Sequence, residues 1–196
     1  HTPVIGWDDD LKVMTIQDLR KWYDTWYAPN NAILVVVGDV NPDQVYQLAK
    51  QYFGKIPASK DLPVVKPMLE APSLGMRQIV VNRPAKLPWL VMGYNVPSLV
   101  TAKDKKVAYT LDVIGAILDG GSSARLPSQL VRGEQIATNI NAQYNLLNRF
   151  DALFLLSGTP SPKHTAKELK AALLQQIEKL KTHPVSEAEL KRIKAQ

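Results

Sequence analysis

Asn139-Ile140-Asn141-Ala142-Gln143-Tyr144-Asn145-Leu146 is the stretch that decides the fold. Its apolar and aromatic members, Ile140, Ala142, Tyr144 and Leu146, alternate with four amides. A period of two with one amide-rich side is the pattern of a strand packed on one face and wet on the other. Leu153 to Ser157, a short apolar run just downstream, predicts its hairpin partner. Upstream, Arg77–Asn82 and Trp89–Asn95 read as two further strands. A helix is predicted from about Lys103 to Leu118, with Val107, Leu111, Ile114 and Leu118 on one face. Gly120-Gly121-Ser122-Ser123 stops it, and Ser122 or Ser123 can cap a short helix that holds Leu126, Pro127 in its first turn and Leu130. After the hairpin, Leu169, Leu173, Ile177 and Leu180 mark a long amphipathic helix from about Thr165 to Lys181. Ser186 and Glu189 form a capping box for a last helix. Strands and helices that come in runs rather than strict alternation predict an α+β fold: a mostly antiparallel sheet with helices packed on one face.

The residues before this region have a different rhythm. Thr15 with Asp18 signals a helix start, and Leu19, Trp22 and Trp26 share one helical face. Pro29 ends that helix. Ala32 to Val37 reads as a strand buried on both sides, because it is apolar without alternation. Asn41 caps the next helix, Pro42 takes its first position, and Val45, Leu48, Ala49 and Tyr52 form its stripe. Gly54 suits the left-handed residue past its end. Pro57, Pro63, Pro67 and Pro72 then fall in a stretch with little periodicity. The chain is therefore expected to comprise a helix–strand–helix module over 1–56, a proline-rich linker over 57–75 and a second lobe over 76–196. Both ends read as cut from a longer protein.

With 45% hydrophobic and 21% charged residues, the chain has enough apolar material for a packed core and too little charge bias for disorder. The net charge of +6 comes from scattered lysines and arginines, so a nucleic-acid-binding surface is not expected. No apolar run approaches the roughly 18 residues of a membrane span. There is no cysteine, which removes disulfides, thiol catalysis and thiolate metal sites.

No self-contained catalytic site is legible. His1, His164 and His183 are too far apart in sequence for a helical pair of imidazoles. Asp8-Asp9-Asp10 lacks the glycine and distal glutamate of a calcium loop and reads as a solvated loop. Gly120-Gly121-Ser122-Ser123 has no following lysine and no preceding strand, so it reads as a helix stop rather than a phosphate cradle. No Gly-x-Ser-x-Gly elbow occurs. Arg132, taken alone, is a cation at the end of a short helix.

Several segments together resemble the M16 zinc peptidases, the family of pitrilysin and the mitochondrial processing peptidase. They are Thr15 to Tyr23, Trp26-Tyr27-Ala28-Pro29-Asn30-Asn31-Ala32, Leu34 to Val40 and Tyr52 to Pro57 in the first region. Ile117 to Leu126, Leu130-Val131-Arg132 and Glu187 to Lys194 continue the match in the second. The resemblance implies the inactive, C-terminal-type M16 domain, preceded over 1–56 by the end of another lobe. In the family an inverted His-x-x-Glu-His motif and a downstream glutamate hold the zinc. That motif is absent here, so the resemblance implies no metal on this segment and zinc on another lobe or subunit. It also implies that this segment shapes a chamber and helps bind a peptide. A family arginine that contacts the substrate matches Arg132. Where the family has a tyrosine partner this chain has Thr138 or Asn139, and Tyr144 is the substitute to consider. An extended substrate can add to a sheet edge in the chamber, and the strand Asn139–Asn145 is a candidate wall. The implied partners are a peptide, a catalytic M16 lobe or sister subunit, and a second copy in a dimer. The sequence does not give the compartment; family members of bacterial type are often exported, so the resemblance is compatible with the periplasm if the chain is bacterial. The alternative is a scaffold or protein-binding lobe of a catalytically dead homologue.

Overall fold

The structure, a computed structural model, describes residues 3–64 and 75–195. The chain divides into two compact units, His1–Pro67 and Met68–Gln196. Of the proline-rich stretch expected over 57–75, residues 65–74 lie outside the described residues, as does His1.

The first unit contains α1 (Asp8–Val13), α2 (Ile16–Trp26), a 3-10 turn at Pro29–Asn31 and α3 (Pro42–Phe53). The acidic run is not a loop. Asp8, Asp9 and Asp10 form the first turn of α1, where carboxylates favour the helix N-terminus, and Asp8 pairs with Lys12 one turn on. Thr15 and Asp18 close a reciprocal capping box on α2. Asn41 accepts from the N–H groups of Asp43 and Gln44 and starts α3 at Pro42. Gly54 is right-handed, with φ of −66°. A side chain there would meet the Lys50 carbonyl at 2.4 Å, so close approach rather than handedness calls for glycine. The strand expected at Ala32 to Val37 forms no ladder, and Ile33 and Val37 are each 92% exposed. A strand is defined by its neighbour, and this unit supplies none among the described residues. Ala28 is the unit's one buried side chain among those residues.

The second unit holds a three-stranded antiparallel sheet of β1 (Leu90–Val96), β2 (Ala137–Gln143) and β3 (Ala152–Pro160), in the order β1-β3-β2. Its helices are α4 (Lys105–Asp119), a π-helix at Pro127–Gly133, α5 (Ala166–Thr182) and α6 (Glu187–Lys194). The strand expected near Arg77–Asn82 is unpaired and exposed, like that of the first unit and for the same reason. Tyr94 lies opposite Phe154, and Met92 and Ala142 both lie opposite Leu156. Phe154, Leu156 and Ile140 therefore share one face of the sheet. Leu118, Leu126, Leu130, Leu169 and Leu173 pack into the same core. Each such leucine contributes about 1.5–3 kcal/mol by leaving water. This is the expected α+β arrangement with helices gathered on one face. The other face carries Asn139, Asn141 and Gln143, and the half-exposed Leu153.

Helix ends follow the sequence closely. Thr165 and Glu168 make a full capping box on α5. On α6 only half the box forms. Ser186 accepts from the Glu189 N–H, but the Glu189 carboxylate goes to Arg125 instead of back to Ser186. The glycine-serine turn ends α4 at Gly120, where a Cβ would meet the Ala116 carbonyl at 2.4 Å, and Gly121 takes φ of +106°. Neither Ser122 nor Ser123 caps the following helix, contrary to expectation. Ser123 instead accepts a hydrogen bond from Arg192.

Candidate functional site

Arg132 sits in the π-helix. Pro127 at its start has no N–H to give, and the ladder then widens, so that Glu134 N–H reaches the Gln129 carbonyl at 2.7 Å. Such widened turns are rare and concentrate at functional sites. The chain leaves it through Gln135, a non-glycine residue at φ of +55°, a conformation that costs about 1–2 kcal/mol. Ser161 Oγ fixes the exit by donating to the Gln135 carbonyl at 2.6 Å. Arg132 is exposed, and among the described residues its guanidinium makes no ion pair or side-chain hydrogen bond.

Tyr144, just past β2, has different surroundings. Its ring stacks on Phe154 with centroids 6.2 Å apart, and its hydroxyl donates to the Pro97 carbonyl at 2.6 Å. Desolvation, reinforced by the Asp112 carboxylate, holds the phenol above its ordinary range. Tyr144 therefore has its proton committed to the backbone. Tyr144 lines a cleft whose walls do not include Arg132. Thr138 and Asn139, which the resemblance sets in the place of a family tyrosine, are exposed at the start of β2. Thr138 falls at a register shift in the ladder, and Asn139 Oδ1 accepts from Asn141 Nδ2 at 3.0 Å.

A cleft of about 580 Å³ opens at the C-terminal end of β2. Asp112, Gly115, Ala116 and Asp119 of α4 form one side, and residues 142–145 form the other with Leu153 and Leu155. Asp119 closes α4 and accepts the Ala142 N–H at 3.0 Å. Burial raises its carboxyl above the ordinary aspartate value, partly offset by that hydrogen bond. Neither aspartate stands out in the sequence as a site residue. Their spacing of seven, two turns on one helical face, was the available signal.

A second polar cluster ties the glycine-serine turn to α6. Arg125 donates from Nε and Nη2 to the two oxygens of Glu189 at 2.9 and 2.8 Å. This fork holds Glu189 below the usual carboxylate range.

The described residues contain no group of three or more His, Cys, Asp or Glu placed to share a metal ion. His164 lies 3.8 Å from Glu168 beside the α5 cap, and His183 follows the end of α5.

The family model described as the Peptidase M16 inactive domain matches residues 14–196. Zinc protease PqqE of Helicobacter pylori is 31% identical over 99% of this chain, which covers 43% of that relative. A solved protease from Helicobacter pylori superposes with a TM-score of 0.83 at 32% identity, covering 97% of this chain and 46% of that one. The periplasmic protease PqqL from Escherichia coli shares the fold, with a TM-score of 0.63 at 20% identity over 97% of this chain and 21% of its own. The chain thus spans less than half the length of these relatives. Taken with the sheet, the helical face and the glycine-serine turn, the matches establish that the chain belongs to the M16 peptidase family, as its inactive, C-terminal-type domain.

Proposed function

We propose that this chain is the non-catalytic part of an M16 zinc peptidase: it shapes the chamber and helps hold a peptide while zinc hydrolysis takes place on another lobe or subunit. Arg132 is the observation that carries the reading. A planar guanidinium that has no partner among the described residues, on a widened helical turn beside the first strand of the hairpin, is suited to binding a peptide carbonyl. Zinc in the larger enzyme is supported by relatives that are named zinc proteases, and among the described residues no group of His, Cys, Asp or Glu is placed to share a metal ion. Residues 1–56 complete a preceding lobe in this reading, which accounts for the exposed apolar segment 33–37. Tyr144, with its hydroxyl spent on Pro97, contributes a cleft wall rather than a proton or hydrogen bond to the peptide. The scaffold alternative draws on Thr138 and Asn139, which leave Arg132 without the family's tyrosine.

The test combines this chain with its zinc-bearing lobe and compares wild type with Arg132→Ala and Arg132→Lys. Loss of a charged hydrogen bond to a carbonyl lowers kcat/KM by about 10- to 100-fold. Lysine restores only part of the loss, because it lacks the fork. Unchanged kcat/KM in Arg132→Ala removes the role.

A further inference from the structure

We propose that Ser161 is a positioning residue for Arg132: it clamps the chain at Gln135 and so keeps the turn that carries the guanidinium in its widened form. The proposal rests on the peptide-holding reading above and adds the residue through which Arg132 is placed.

The turn is fixed at both ends. At its start Leu130 is buried, and the Gln129 side chain accepts from Lys179 Nζ of α5 at 3.3 Å. At its end Ser161 bonds to consecutive residues. Its Oγ donates to the Gln135 carbonyl at 2.6 Å, and its N–H donates to the Ile136 carbonyl at 2.8 Å. Ser161 directly follows Pro160, which lies opposite Ala137 in the β2–β3 ladder. The exit is therefore tied to the sheet, and the sheet register sets where the chain must leave the helix. Gln135 reaches that point at φ of +55°, a conformation that a non-glycine residue keeps when its surroundings impose it. Between these anchors the chain has one residue more than an α-turn closes over, so the Glu134 N–H bonds to Gln129, five residues back rather than four. Freed at its exit, the turn can pass the extra residue into the loop and tighten. Each residue of slip turns a helical side chain by about 100°. Arg132 stands in the last turn of the π-helix, and no side chain among the described residues holds its guanidinium. Its direction is set by the backbone, and Ser161 supplies the side chain that fixes that backbone.

The experiment assembles this chain with its zinc-bearing lobe and measures kcat and KM on an unstructured peptide. Ser161→Ala and Ser161→Thr are each made with Arg132 intact and in Arg132→Ala. With Arg132 present, Ser161→Ala lowers kcat/KM about 3- to 10-fold, the scale of one neutral hydrogen bond. The loss falls on the same parameter, kcat or KM, that Arg132→Ala moves. Ser161→Thr, which keeps the hydroxyl, restores most of it. In Arg132→Ala the Ser161→Ala change adds no further loss, because the group it positions is gone. In the 196-residue chain, Ser161→Ala speeds amide exchange at Glu134 by a similar factor and leaves α4 protected, a readout that does not depend on assembly. An equal loss in both backgrounds, or faster exchange in α4 as well as at Glu134, makes Ser161 a general stabiliser and overturns the proposal. Wild-type kinetics in Ser161→Ala while Arg132→Ala is impaired also overturn it and leave the peptide-holding reading intact. Unimpaired Arg132→Ala overturns both.

Discussion

Removing one half of the Arg125–Glu189 fork should release α6. The two side chains are 18% and 19% exposed and meet through two short hydrogen bonds. Breaking a fully buried pair costs about 3–5 kcal/mol, and an exposed one about 0–1 kcal/mol. This pair lies between those limits, so Glu189→Gln should cost about 2 kcal/mol. The loss falls on α6, whose remaining anchors are the buried Ile193, its packing on α4 and the Arg192–Ser123 hydrogen bond. A two-unit chain does not melt as one transition, so the local readout is amide hydrogen exchange of residues 187–194. A change of 2 kcal/mol is about a 30-fold loss of protection. Glu189 titrates lower in the folded chain than its ordinary 4.5. Its contribution is therefore complete above that value and fades as pH falls through the lower folded value. Protection of α6 in the wild type should decline in that acid window, while Glu189→Gln should show no such step. A double-mutant cycle with Arg125→Gln should return a coupling well above 0.5 kcal/mol, the scale of independent sites. Unchanged α6 protection in Glu189→Gln, or a coupling below that scale, would refute the reasoning.

Gly158→Ala should destabilise the second unit by about 1–3 kcal/mol, since the new methyl would sit 2.8 Å from the Asn139 carbonyl and 3.3 Å from Leu169. A lower urea midpoint by circular dichroism checks it, and an unchanged midpoint contradicts the packing. Thr165→Ala removes the Oγ1 that accepts the Glu168 N–H at 3.2 Å and should cost about 1 kcal/mol, read as faster exchange in the first turn of α5.

The second unit was largely legible because its signals are local. Alternation at 139–146 gave β2, Thr165 with Glu168 gave the start of α5, and the apolar spacing from Val107 to Leu118 gave α4. Where a partner was needed the reading failed. Ala32–Val37 and Arg77–Asn82 have strand composition, but composition cannot supply a neighbouring strand. The π-helix was also missed, because Pro127 in a first turn suits an ordinary helix and the widening depends on where Glu134 finds its carbonyl. Arg132 stands out only through the resemblance, and that no other described residue pairs with it is a property of the folded chain. Glu189 was expected to complete a cap; a residue 64 positions away claimed it instead. Asp112 and Asp119 carried only a helical spacing, and a cleft is made by packing.

Zinc content and peptidase activity of the isolated 196-residue chain bear most directly on the idea that it supplies walls and contacts rather than the metal. Elemental analysis after zinc loading and desalting should find far less than one ion per chain, with no chelator-sensitive cleavage of an unfolded peptide. One tightly held zinc per chain together with such cleavage would contradict it.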